Sequence, residues 1–130
     1  MSFISVLVAA AAGYALGAAW YMTLSRQWIA ASGVACDADG KPLDKSVTPF
    51  ILSGIAMLLV AGMMRHIFGM AGVSGLGAGL VAGLGLGAFV AAPWVMINYA
   101  YAGRPRALTM IDGGYAVLGC GIIGAVLGLF

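Results

Sequence analysis

Four long apolar stretches alternate with short polar ones along the chain. They run from Phe3 to Leu24, from Pro49 to Met64, from Ser74 to Tyr99, and from a start between Thr109 and Asp112 to Phe130. A helix crossing the ~30 Å hydrocarbon layer needs about 20 mainly apolar residues, and inside lipid it must satisfy its own backbone. The pattern therefore predicts an all-α membrane protein, with four transmembrane helices in one compact, glycine-rich bundle that occupies residues 1–130 as a single domain. The second span reaches residue 69 if its helix continues through Arg65. Met1 to Leu24 has no positive leading segment, and its apolar run is too long for a cleaved signal, so it reads as a retained helix.

The first polar stretch, residues 25–48, carries the run Asp37, Asp39, Gly40, Lys41, Pro42, which is turn chemistry that belongs outside the hydrocarbon. Arg26 to Ala31 is expected as a short interfacial helix ahead of it. Thr48 before Pro49 reads as a helix start, the threonine capping free amides and the proline taking the first helical position. Trp20, Tyr21 and Trp28 bracket the end of the first span, where amphipathic rings favour the headgroup level; Tyr14 lies deeper and is expected to find a partner inside the bundle. Arg65 and His66 are expected to follow the second span, the arginine snorkelling and the histidine solvated, with an arginine turned inward toward an anionic headgroup as the functional alternative.

Small residues mark the faces expected to pack. Ala10, Gly13 and Gly17 continue through Trp20 to Leu24 at helical steps; Gly75, Gly79, Gly83 and Gly87 recur every four residues in the third span; Gly124 and Gly128 repeat the spacing in the fourth. Glycine in a helix costs roughly 1 kcal/mol relative to alanine, so such a run needs a compensating neighbour. Pro93 removes the amide that would bond the Phe89 carbonyl, which predicts a kink.

Composition removes most other readings. Of 130 residues 63% are hydrophobic and 8% charged, whereas a soluble domain carries roughly 25% charged residues, so no water-facing surface can be built. Arg26, Lys41, Lys45, Arg65, Arg104 and Arg106 are set thinly against Asp37, Asp39, Asp44 and Asp112, with no basic stripe for nucleic acid. Cys36 and Cys120 lie far apart without a CxxC or Cys/His spacing, so neither disulfide, metal nor cofactor is expected. Five of the six basic residues fall in the first and third loops, which by the positive-inside rule puts both termini outside.

The densest polar group is Asn98, Tyr99, Tyr101, Arg104 and Arg106, followed by Asp112 and Tyr115. Asp112 is expected near the start of the fourth helix, favoured by the helix N-terminus and paired with an arginine of the preceding turn as an interfacial clasp. The alternative is an anion or lipid contact at Arg104 and Arg106.

Asn98-Tyr99, Gly103-Arg104-Pro105, Ile111-Asp112-Gly113-Gly114-Tyr115 and the closing Gly124-Ala125-Val126-Leu127-Gly128 together resemble the bacterial membrane-protein family known as domain of unknown function 1761. Leu16-Gly17-Ala18-Ala19-Trp20-Tyr21 with Trp28 is similar to that family's opening helix. The resemblance implies four helices in a bacterial inner membrane and supplies no activity or catalytic residues.

With one histidine, no glutamate and a single acid near the membrane, the chain offers neither a nucleophile with its base nor paired carboxylates, so catalysis is not expected. No ionisable group is expected at mid-bilayer, which argues against ion coupling. The favoured expectation is a small accessory protein, forming a homo-oligomer or joining other integral membrane subunits such as those of an energy-converting complex, among membrane lipids. A pore between protomers, lined by the glycine face of the third span, is the alternative.

Overall fold

A computed structural model describes residues 3–130. The chain forms α1 (Phe3–Thr23), the short α2 (Ser25–Ser32), α3 (Thr48–Ala71), a third span of α4 (Leu76–Leu86), a π-helical turn (Gly87–Ala91) and α5 (Ala92–Tyr101), and finally α6 (Arg106–Gly128). Four of these runs are long and apolar enough to cross a membrane. The fold is the all-α, four-span bundle that the apolar pattern predicts.

The helix limits show where local chemistry acts. α3 does not end at Met64 but continues to Ala71, where Gly72, with a left-handed φ of 70°, closes the helix with a bond from its amide to the Phe68 carbonyl. Arg65 and His66 thus lie inside the span and do not follow it. At the other end Thr48 is already helical, and its amide is taken by Ser46 Oγ at 3.1 Å, so serine and not threonine supplies the side-chain oxygen. α6 starts at Arg106, earlier than expected, because Pro105 enters with φ −59° and ψ 148° and leaves the next residue free to coil.

The predicted disturbance at Pro93 takes the form of the π turn. With no amide on Pro93, the Phe89 carbonyl loses its partner, and the preceding backbone widens so that the Ala92 amide bonds the Gly87 carbonyl, five residues back. In the first loop, the Asp37 carboxylate accepts from the amides of Asp39 (2.9 Å) and Lys41 (3.0 Å), with Gly40 at φ 77°; this is the turn its sequence predicts.

α6 is the centre of the bundle, with α4 and α5 on one side, α1 on the other, and α3 packed mainly against α1. The third span closes on α6 through glycine. A Cβ at Gly79 would fall into the Gly124 carbonyl oxygen, one at Gly83 into the Cys120 carbonyl oxygen, and one at Gly87 would lie 2.5 Å from the Val117 Cα. Gly128 meets the Gly75 carbonyl in the same way, and the Gly75 amide donates to the Gly128 carbonyl at 2.9 Å. Two backbones touch along this face. It is therefore closed inside the protomer and cannot line a pore, and Gly79, Gly83 and Gly87 are not surplus to internal packing. Gly13 and Gly17 likewise lie against Ile123 and the Tyr115 hydroxyl of α6. The remaining core gathers Val6, Ala9, Ala10, Ala61, Met64, Phe68, Ile123 and Leu127.

Candidate functional site

Two side chains of opposite charge lie inside the spans, one near each end of the bundle. Asp112 lies six residues after the start of α6, and Arg65 six residues before the end of α3. At 1.5 Å per residue each is about 9 Å inside its helix.

Around Asp112 the ends of three helices are tied together. Its Oδ1 accepts from the Tyr21 hydroxyl of α1 at 2.5 Å, and its Oδ2 accepts a short hydrogen bond from the Tyr99 hydroxyl of α5. One residue earlier, the Ile111 carbonyl accepts from the Trp20 indole at 2.9 Å. One turn deeper, Tyr115 donates to the Gly13 carbonyl at 2.9 Å and touches the Met57 sulfur at 3.4 Å. Gly17 makes this possible, since a Cβ there would lie 2.6 Å from the Tyr115 oxygen. Tyr21 packs edge-on against both Tyr115, 5.5 Å between centroids, and Trp28 of α2, at 6.4 Å. The aromatic belt is thus also a hydrogen-bonding collar.

The clasp around Asp112 exists, but its partners differ from those expected. Arg104 donates to the Ser32 carbonyl at 3.0 Å, tying the α5–α6 turn to the end of α2. Gly103, at φ 67°, reverses the chain there, and the Arg104 amide returns to the Tyr99 carbonyl at 2.9 Å. Arg106 and Asn98 are exposed. Because α6 begins at Arg106, Asp112 lies beyond the first turn, where the helix N-terminus no longer acts on it strongly, and tyrosine hydroxyls satisfy the carboxylate instead. Tyr21, expected only as an interfacial anchor, is one of its two donors. Tyr14, expected to find a partner inside the bundle, donates to the Phe50 carbonyl of α3 at 3.3 Å, although it is 36% exposed.

Arg65 presents the opposite case. It is 9% exposed, on the same side of α3 as Ala61, Met64 and Phe68, so it does not snorkel. Among the described residues neither terminal guanidinium nitrogen has a hydrogen-bond partner. The helical steps 61, 64, 65 and 68 carried the signal, since they put the arginine on the packing face. His66 is exposed, as expected. No group of three or more His, Cys, Asp or Glu side chains fit for a metal occurs among the described residues.

Among known proteins, the family model described as protein of unknown function DUF1761 matches residues 4–128. No curated protein and no solved structure matches the chain.

Proposed function

The chain belongs to the DUF1761 family of proteins of unknown function, and on that premise we propose that it is a non-catalytic accessory subunit that associates laterally, with itself or with other integral membrane subunits, through the outer face of α4. The observation that carries this reading is at Gly77 and Gly85. Unlike Gly79, Gly83 and Gly87, these two have open space where a Cβ would stand. They lie eight residues apart, with Val81 between them 70% exposed. Each forgoes the roughly 1 kcal/mol that alanine would return to the helix, without any neighbour in its own chain, and a second helix approaching closely supplies the missing compensation. The collar around Asp112 supports a structural role as well: both carboxylate oxygens are occupied by tyrosines of the same chain, which holds α1, α5 and α6 as a rigid platform.

Affinity purification from native membranes in mild detergent, read by mass spectrometry and particle size, tests the reading. Gly77→Leu combined with Gly85→Leu is expected to release the partner or dissociate the oligomer while the protein remains folded. Gly79→Leu is expected to abolish folding, since its side chain would enter the Gly124 carbonyl. A monomeric wild-type particle with no co-purifying subunit overturns the proposal.

The reading includes a bacterial inner membrane and termini on its outer side, supported by Arg26, Lys41, Lys45, Arg104 and Arg106 in the first and third loops. A reporter fused after Phe130 that is active only in the cytoplasm reverses that orientation.

A further inference from the structure

Arg65 is not merely buried; it also borders a shallow groove. Along one side of α3 an open depression is lined by Gly62, Arg65, His66, Gly69 and Met70. Two glycines make it, because at both Gly62 and Gly69 a Cβ would meet nothing within 4 Å. Side chains are thus missing from the helix surface one turn before and one turn after the arginine. The guanidinium beneath this space is planar, permanently charged and rich in donors, and its two terminal nitrogens are covered and without a partner among the described residues. An uncompensated charge about 9 Å inside a span is expensive, and such groups ordinarily pair with an anion or line a pathway.

We infer that the groove at Arg65 is a binding site for an anionic phosphoryl group, supplied by a phospholipid headgroup of the leaflet at the Ala71 end of α3. Rotation about the arginine side-chain bonds carries the guanidinium from beneath its neighbours into the groove, where two phosphate oxygens accept from its parallel N–H pairs. His66, exposed on the same rim, adds one N–H donor. The missing side chains at Gly62 and Gly69 leave room for the headgroup, and Met70, 71% exposed, borders its apolar portion. A lipid phosphate is favoured over a carboxylate of a neighbouring protein because the depression lies on the outer surface of a single helix, six residues from its end. This site is separate from the α4 face and stands or falls independently of the lateral association proposed above.

The test uses the full chain, stripped of lipid in a neutral detergent. Phosphatidylglycerol, phosphatidylcholine or inorganic phosphate is added separately, and both the thermal unfolding midpoint and lipid adducts by native mass spectrometry are recorded. Phosphatidylglycerol is expected to raise the wild-type midpoint by mass action and to leave adducts. Arg65→Met is expected to lose the rise and at least roughly tenfold of the adduct, and Arg65→Lys, which keeps charge without the fork, to retain part of both. Arg106→Ala is expected to behave as wild type. An equal rise with inorganic phosphate keeps the phosphoryl site and overturns the lipid as its source. Equal adducts on wild type and Arg65→Met overturn the site. So does the absence of any lipid effect together with a membrane protein that co-purifies with wild type and is lost from Arg65→Met, since that assigns the arginine to a partner's carboxylate.

Discussion

Asp112 and Arg65 are matched in depth and opposed in everything else. Each lies six residues inside its helix, one at either end of the bundle. The carboxylate has a donor on each oxygen, from two other helices. The guanidinium, more deeply buried, has no acceptor among the described residues at either terminal nitrogen. A charge closed within its own chain acts on the fold: here it fixes α1 and α5 to α6. A charge left open under a shallow groove acts on something outside the chain. The contrast separates the structural end of the molecule from the end that is built to receive a ligand, and stability measurements on the lipid-free protein can break it.

The largest effect is expected at the closed end. Asp112→Leu removes two charge-assisted hydrogen bonds, each worth roughly 1.5–3 kcal/mol, and leaves the Tyr21 and Tyr99 hydroxyls without acceptors. A loss of about 3 kcal/mol or more is expected in detergent unfolding. Tyr21→Phe and Tyr99→Phe should each lose less, roughly 1–2 kcal/mol. Their double variant should lose more than the sum, because only then is the carboxylate stripped of both donors. If Asp112→Leu unfolds at the wild-type midpoint, the collar is not what joins these helices.

Which of these features were legible in the sequence follows from the range over which each is determined. The four spans were, because lipid demands an apolar run of fixed length and charges punctuate it. The glycine spacing of 75, 79, 83 and 87 was legible as a packing face, but its partner was not: Gly124 and Gly128 meet it across the turn at the other end of the span, which no spacing encodes. Gly77 and Gly85 differ from their neighbours only in helical phase, and phase assigns a face without saying what lies opposite. For Asp112, the nearby arginines were the obvious partners, whereas Tyr21 is 91 residues away and sits where tyrosine ordinarily needs no partner but water. Arg65 reads as a snorkelling residue only if the helix ends at Met64. With α3 continuing to Ala71, its side chain falls among Ala61, Met64 and Phe68.

The smallest effect is expected at the open end, and there its sign matters more than its size. In lipid-free protein Arg65 carries an uncompensated buried charge, so replacing it with methionine, of similar length and no charge, removes a desolvation penalty without breaking any hydrogen bond. Arg65→Met should therefore unfold within about 0.5 kcal/mol of wild type or at higher denaturant, unlike most substitutions of a buried residue. Destabilisation by more than roughly 1 kcal/mol would mean that the guanidinium finds an acceptor within its own chain. Arg65 would then resemble Asp112, and the distinction between the two ends would collapse.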